Sequence, residues 1–384
     1  MHIEEAWTLL VIALGAFSIP LLSGRIGVPA AVGEILFGIL VGQHVLGLVH
    51  ENEFTTFLAE FGFAFLMFLA GLELEFSQIE KRGARGIAFA TAIATSFFVF
   101  ALVLVAIAKL PIYLFLAFGA LSVGILLVTL TELGITRSPA AQAMILIGSI
   151  GEFVTIILVT GFGFYHHHGF GLQLFGAMAE LLAIFVVAYV VLVFLRTLIW
   201  WYPHSFARVV SEDDPSEIGV RAAMATMLVF VAFATLMGVE AILGSFVAGA
   251  LFSFVFREKG ILHTKMSSLG FGFFVPIFFI WVGAEFNLVA VVHWDALVLV
   301  ALFLLLSLLT KIPPSMFLML QGHHWREALG GGLLFAAPLT LLVVIASIGH
   351  DAGLIDETMS SALVLLAIVT GVLFPWGARL AIAR

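Results

Sequence analysis

One carboxylate stands in the middle of an apolar stretch that is long enough to span a bilayer. The stretch runs from Pro139 to Gly161, PAAQAMILIGSIGEFVTIILVTG, and Glu152 lies near its centre. An ionisable side chain at that depth costs roughly 2.5 kcal/mol or more to insert, so it persists where it faces protein or water and has a function. We therefore predict that Glu152 binds a proton or a cation inside the membrane.

Small and hydroxyl-bearing residues share a helix face with Glu152. At helical spacing this face carries Gly148, Ser149 and Thr155. Small residues let another segment approach closely, and hydroxyl oxygens can bind an ion. We expect Ser149 and Thr155 to belong to the same site. The alternative is a structural role, in which one fixed partner neutralises a buried Glu152.

Lys311 is the second ionisable residue inside an apolar run, ALFLLLSLLTKIPPSMF. Pro313 and Pro314 follow it and predict a distorted backbone. In one interpretation the side chain extends along the helix to the cytoplasmic surface. In the other it pairs with Glu152, and a cation that binds the carboxylate displaces either its proton or the lysine.

Two predicted helices contain features that unwind a helix at mid-membrane. The segment AFGALSVGILLV contains Ser122 and Gly124, and LLFAAPLTLLVV contains Ala337, Pro338 and Thr340. Pro338 has no N–H and clashes with the preceding turn. Broken helices are tolerated where they line a cavity, and they offer free carbonyls and half-helix ends to an ion. We expect two crossing discontinuous helices lined by these residues, with two ordinary kinked helices as the alternative.

Composition identifies a polytopic membrane protein. Of 384 residues 62% are hydrophobic and 10% charged, against about 25% charged in soluble domains. The net charge of −8, with basic residues scattered through short loops, gives no reason to expect a nucleic-acid partner. Without cysteine there are no disulfides or thiolate metal sites. We expect no enzyme activity, because no phosphate-cradling loop occurs outside the membrane. We also expect no cofactor and no bound metal except a monovalent cation.

Apolar runs of spanning length predict thirteen transmembrane helices. They cover about residues 6–24, 29–49, 54–75, 86–108, 112–131, 139–163, 172–201, 218–237, 239–256, 267–286, 292–320, 327–348 and 357–380. If the N-terminus is outside, fourteen of the sixteen Lys and Arg residues fall on the cytoplasmic side. Positively charged loops stay in the cytoplasm. We therefore predict an outside N-terminus and a cytoplasmic C-terminus.

The two halves of the chain resemble each other weakly. EFGFAFLMFLAGLEL at 60–74 matches GFGFFVPIFFIWVGAEF at 270–286, and GEILFGILVG at 33–42 matches VEAILGSFVAG at 239–249. Each matched pair lies seven predicted spans apart, so the repeats have opposite orientation, as in many secondary transporters. We expect a first six-helix repeat over 1–165, a linker helix and cytoplasmic loop over 166–216, and a second six-helix repeat over 217–384.

Motifs along nearly the whole chain resemble the monovalent cation:proton antiporters of the Kef-type and bacterial Na+/H+ exchanger branch. They are GEILFGILVGQ at Gly33, FLAEFGFAFLMFLAGLELE at Phe57, ALSVGILLVTLTELG at Ala120, IGEFVTIIL at Ile150, VEAILGSFVAGALFS at Val239, GFGFFVPIFFIWVG at Gly270 and the helix with Lys311. The resemblance implies an antiporter fold in a prokaryotic inner membrane. It also implies a homodimer and an elevator-like movement of a six-helix core domain against a dimerisation domain.

The resemblance also assigns site residues. The family's ion-binding helix carries two adjacent polar positions, which fall here on Gly151 and Glu152. The polar residue of the first broken helix falls on Leu121, leaving Ser122 beside it. Lys311 matches a lysine that some electrogenic members pair with the first acid. A single carboxylate that carries either one proton or one cation predicts 1:1 electroneutral exchange.

The leading hypothesis is therefore exchange of Na+ or K+ for H+ by alternating access, with Glu152 as the shared ligand. A sodium-coupled symporter of a small organic anion is one alternative, and it needs basic anchors at the depth of Lys311. A non-transporting membrane scaffold with the same fold is the other. Further acids near the membrane, Glu34, Glu73 and Glu240, are secondary candidates, with structural ion pairs as the alternative for most of them.

Overall fold

The computed structural model describes residues 3–26, 29–50, 52–73, 76–168, a few positions between 183 and 201, 217–237, 241–255, 260–286 and 294–382. The regular secondary structure of these residues is all helical. The α-helices, numbered in chain order, are α1 (Ile3–Ile26), α2 (Ala30–Val41), α3 (Glu53–Glu73), α4 (Phe76–Ile107), α5 (Leu114–Gly119), α6 (Gly124–Glu132), α7 (Pro139–His168), α8 (Ile218–Leu236), α9 (Ala241–Val255), α10 (Gly260–Leu269), α11 (Val275–Glu285), α12 (Trp294–Ser315), α13 (Trp325–Phe335), α14 (Leu339–Asp351) and α15 (Glu357–Ile382).

Within the described residues, nine helical segments are long and apolar enough to cross a membrane, and shorter apolar helical stretches, one of them interrupted, cover 30–41, 114–130 and 243–255. The chain is therefore an all-α integral membrane protein. Most of the seventh predicted span, 172–201, and of the linker 166–216 lies outside the described residues. The count of thirteen helices and the division into inverted repeats remain predictions.

Helix α2 is shorter than the predicted span of 29–49. It ends at Val41, and Gly42 takes an extended conformation with ψ 174°. A Cβ on Gly42 would lie 2.7 Å from Ala284 Cα, so the close approach of α11 requires glycine there. Twelve residues extend only about 18 Å at 1.5 Å each. The helix itself is therefore too short to cross a hydrocarbon core of about 30 Å.

Helix α12 continues through the two prolines that predicted a distortion. It includes Pro313 and Pro314 and ends at Ser315, where a 3₁₀ segment over Met316–Gln321 takes over. The prolines lack the N–H groups that would bond the carbonyls one turn earlier. The change of helix type thus follows the prolines instead of coinciding with them.

Both predicted discontinuous helices are present. Helices α5 and α6 are separated by residues 120–123, and α13 and α14 by residues 336–338. Helix α5 contacts α14 and α6 contacts α13, so each half of one discontinuous helix packs against a half of the other. The Tyr113 hydroxyl, just before α5, donates to the carbonyl of Ile345 in α14 at 2.8 Å. The backbone features read from the sequence therefore do mark breaks.

The chain contains two compact units. The first includes residues 1–17, 50–77 and 160–281. Within it α3 and α9 pack backbone to backbone: a Cβ on Gly249 would lie 2.9 Å from the carbonyl carbon of Phe68, and one on Gly71 would lie 2.7 Å from Ala250 N. Glycine at these contacts permits the close approach of the two helices.

The second unit includes residues 18–49, 78–159 and 282–384. It contains both discontinuous helices and most of α7, α12 and α15. A core of buried apolar side chains, which includes Phe97, Leu121 and Phe335, surrounds the first break. The Phe97 and Phe335 rings lie 5.4 Å apart. This unit positions the candidate site.

Candidate ion-binding site

Glu152 binds directly to the break between α5 and α6. Its side chain, on α7, is 2% exposed. The Val123 N–H donates to Oε2 at 3.2 Å, and the Ser122 hydroxyl donates to Oε1 at 3.3 Å. Helix α6 begins at Gly124, so the carboxylate lies at its N-terminus, where the helix dipole favours negative charge.

Thr155 fixes the same segment one turn further along α7. The Leu121 N–H donates to Thr155 Oγ1 at 3.2 Å, and this hydroxyl donates to the Gly151 carbonyl at 2.6 Å. Ser149 is buried one turn before Glu152. The structure thus brings Ser122 to Glu152 and places the Thr155 hydroxyl on the backbone of the break. The ion-binding roles of these residues remain predictions.

Gly151 leaves space that Leu121 fills. A Cβ at Gly151 would lie 2.9 Å from Leu121 Cβ and 3.0 Å from its Cγ, and Leu121 is fully buried. The two positions that the resemblance associates with polar side chains therefore form an apolar contact here. Glu152 is therefore the only acidic residue of the Gly151-Glu152 pair.

Lys311 binds the other side of the break. Its ammonium donates to the carbonyls of Gly119 at 2.7 Å and Ala120 at 2.5 Å, and it lies 4.9 Å from the centre of the Phe97 ring. These carbonyls end α5, where helix C-termini carry partial negative charge. Lys311 is 1% exposed, so it does not extend to the membrane surface.

The expected pairing of Lys311 with Glu152 is not formed in the structure. Among the ion pairs of the described residues, none joins these two side chains. Each charge instead stabilises a different half-helix end. The carboxylate accepts hydrogen bonds at the start of α6, and the ammonium donates hydrogen bonds to carbonyls at the end of α5. The separation follows from the opposite signs of the two helix ends.

The residues predicted to line the second broken helix lie at or beside its break. Ala336 and Ala337 are fully buried, Pro338 precedes α14, and Thr340 is half-buried in its first turn. The Ala336 carbonyl accepts from the Ser307 hydroxyl at 3.2 Å. Gly124, at the first break, is half-buried.

The secondary acids do not join this site in the described contacts. Glu34 is buried in the second turn of α2 and is 4% exposed. Glu73 is half-buried at the end of α3. Glu240 lies outside the described residues.

The sequence did not identify several groups around the site. These are the backbone groups at Gly119, Ala120 and Val123, the Phe97 ring, and the hydroxyls of Ser307 and Thr310. Only the hydroxyls left a local signal, because Ser307, Thr310 and Lys311 have the i, i+3, i+4 spacing of one helix face. Backbone groups leave no such signal in residue types.

A helical membrane protein with two discontinuous helices, one of which binds a buried carboxylate at its break, has the architecture of secondary ion transporters. A family model for the transmembrane region of sodium/hydrogen exchangers matches residues 10–379. The chain is 31% identical, over 96% of its length, to a protein named putative Na(+)/H(+) antiporter YjbQ from Bacillus subtilis, and it spans 62% of that relative. It is 27% identical to the Na(+)/H(+)-K(+) antiporter GerN from Bacillus cereus, over 92% of this chain and 90% of GerN.

The chain belongs to the sodium/hydrogen exchanger family. Its fold is similar to that of the sodium proton antiporter MjNhaP1 from Methanocaldococcus jannaschii, with a TM-score of 0.63 at 15% identity. The match covers 98% of this chain and 97% of MjNhaP1. At this identity the similarity establishes the antiporter fold alone. The chemistry has to be argued from the residues of the site.

Proposed function

We propose that this protein exchanges a monovalent cation, Na+ or K+, for H+ by alternating access, with Glu152 as the shared ligand. The observation that carries the proposal is the buried Glu152 carboxylate at the junction of two half-helices. The relatives named as Na(+)/H(+) and Na(+)/H(+)-K(+) antiporters support the same reaction.

Exchange follows from the charge of a buried carboxylate. The Ser122 hydroxyl and the Val123 N–H both donate to the carboxylate, and because these two donors are neutral their bonds add no positive charge. A proton or a monovalent cation neutralises the carboxylate, and each excludes the other from the same oxygens. A site that moves between the two membrane sides only when neutral therefore couples the cation to the proton.

One carboxylate predicts one proton for one monovalent cation. Gly151 has no side chain to bind a second ion, and Leu121 fills the adjacent space. The Lys311 charge is held by carbonyls at the end of α5. We infer 1:1 electroneutral exchange, in which Lys311 stays in place and Ser122 and the broken-helix carbonyls complete the cation site.

The same contacts weigh against the symporter of an organic anion. Such a transporter needs a cationic side chain that faces the anion. The Lys311 ammonium is already bound by two backbone carbonyls. The scaffold alternative makes a different prediction, since it requires that no cation drives proton movement.

The remaining parts of the proposal concern assembly and topology. We infer thirteen transmembrane helices in two inverted six-helix repeats, an outside N-terminus and a cytoplasmic C-terminus. The basic residues on one predicted side and the internal similarity of the two halves support this arrangement. A homodimer with elevator-like movement, a prokaryotic inner membrane and a Kef-type relationship complete the proposal.

The test is proton movement in proteoliposomes with an interior pH dye, with Na+, K+ and Li+ added in turn. We expect one or more cations to drive proton efflux in the wild type, and Glu152→Gln to abolish it because the amide binds neither a proton nor a cation in this way. Glu53→Gln, at an exposed acid in the first turn of α3, is the matched control. Wild-type protein that is folded but moves no protons with any cation would refute the exchanger.

A further inference from the structure

Three polar side chains occupy one buried face of α12. They are Ser307, Thr310 and Lys311, and they are 4%, 0% and 1% exposed. Their spacing of three and four residues places them on one side of the helix. Burial of three polar groups at this depth requires hydrogen-bond partners for each of them.

All three donate to carbonyls at the C-terminal ends of half-helices. The Ser307 hydroxyl bonds the carbonyl of Ala336, which follows α13, at 3.2 Å. The Thr310 hydroxyl lies 3.2 Å from the carbonyl of Phe118 in α5. The Lys311 ammonium bonds the next two carbonyls of α5. One face of α12 therefore binds the C-terminal ends of α5 and α13, the first halves of the two discontinuous helices.

These carbonyls need donors from outside their own helices. The last four C=O groups of a helix have no intrahelical N–H partner. Where a helix is interrupted inside the membrane, little water is present to donate hydrogen bonds to these carbonyls. Thr310 shares its hydroxyl proton, since Oγ1 also lies 2.9 Å from the carbonyl of Ser307 in its own helix. Its bond to Phe118 is therefore one branch of a bifurcated bond, while the bond of Ser307 to Ala336 is undivided.

The segment held by α12 is the segment that binds Glu152. Residues 118–120 contact Thr310 and Lys311, and residues 121–123 contact Thr155 and Glu152. The two sets of bonds act on adjacent peptide units from two different helices. A shift at 118–120 therefore changes the positions of the two donors at Glu152.

We propose that Ser307 and Thr310 are positioning residues for cation exchange. With Lys311 they form the α12 clamp, which holds both half-helix ends and so places the Ser122 hydroxyl and Val123 N–H on Glu152. The inference rests on the proposed exchange at Glu152. The two hydroxyls act through the backbone of the breaks and need not touch the transported ion.

The test compares matched hydroxyl removals on two buried helices. Thr310→Val and Ser307→Ala remove clamp hydroxyls, while Thr310→Ser and Ser307→Thr retain them. Thr370→Val is the control, since Thr370 is also fully buried and also shares its hydroxyl between two carbonyls, both within its own helix α15. Cation-driven proton efflux is measured across cation concentration and pH, and hydrogen–deuterium exchange reports the amides of residues 120–123.

We expect Thr310→Val and Ser307→Ala to raise the half-saturating cation concentration by about ten-fold, equivalent to about 1.4 kcal/mol. The maximal rate should change less, because the carboxylate itself remains. Amides 120–123 should exchange faster in both variants. The two hydroxyl-retaining variants and Thr370→Val should match the wild type in both measurements.

The proposal is overturned if clamp variants and Thr370→Val behave alike in a wild-type background that exchanges cations. It is also overturned if the amides of 120–123 exchange faster while cation dependence stays unchanged, since the clamp is then only structural. If Thr310→Val does not fold, Ser307→Ala and its Thr counterpart decide the question. A wild type that exchanges no cation refutes the proposed function instead, and the amide measurement still tests the clamp.

Discussion

Replacement of Gly151 by alanine tests whether Leu121 has taken the space beside Glu152. The added Cβ would lie 2.9 Å from Leu121 Cβ and 3.0 Å from its Cγ. A new rotamer of Leu121 does not relieve the first contact, because Cβ is attached to the backbone. The break segment or α7 must therefore move by several tenths of an ångström.

The expected cost follows from this overlap. Extra methyl groups in a packed core destabilise by about 1–3 kcal/mol. The bonds to Glu152 are already long, at 3.3 Å from Ser122 and 3.2 Å from Val123, so a displacement of this size weakens both. Gly151→Ala should therefore lower the unfolding temperature and also raise the half-saturating cation concentration.

Gly148→Ala on the same face of α7 is the matched control. Its Cβ would meet Val123 Cγ2 at 3.2 Å and Phe335 Cε1 at 3.8 Å, contacts that small side-chain movements relieve. Both substitutions gain about the same helix propensity, close to 1 kcal/mol, so their difference isolates the overlap.

The assays are thermal unfolding in detergent and proton efflux in proteoliposomes. Adding Leu121→Ala should make Gly151→Ala less harmful than it is alone, because Cγ and both methyl groups leave the overlap. We expect a coupling of about 0.5–3 kcal/mol between the two positions. Equal effects of Gly151→Ala and Gly148→Ala, or additive effects of the pair, would show that Leu121 does not restrict this position.

Three further outcomes follow from the structure. If one proton competes with one cation at Glu152, the half-saturating cation concentration should rise by up to about ten-fold for each unit by which the pH falls. A rise of up to about a hundred-fold per pH unit would show that two protons compete. The rate of electroneutral exchange should not depend on a membrane potential imposed with potassium and valinomycin. Each net charge moved would contribute about 2.3 kcal/mol per 100 mV, so a rate that changes with the potential would contradict 1:1 exchange. Tyr113→Phe should lower the free energy of unfolding by about 0.5–1.5 kcal/mol, because it removes the hydrogen bond to the Ile345 carbonyl. An unchanged temperature of thermal unfolding would show that this bond does not stabilise the packing of the segment before α5 on α14.

The sequence by itself determined the membrane class, the buried carboxylate and the two helix breaks. Each depends on residues that are neighbours in the chain. Apolar runs record the spanning segments, one Glu in such a run is a buried charge, and Pro338 or the Ser122 to Gly124 stretch disrupts a local hydrogen-bond ladder. The face that joins Thr155 to Glu152 also follows from helical periodicity alone.

Only the tertiary structure decided what the buried charges bind. Lys311 and its acceptor carbonyls are separated by more than 190 residues, and the acceptors are backbone atoms that any residue type carries. Packing likewise decided that Leu121 fills the space beside Gly151, and that α2 ends where Ala284 approaches Gly42. Hydrogen-bond partners and free volume depend on segments that folding brings together. The sequence therefore shows that Lys311 is charged, but not that it binds the C-terminal end of α5.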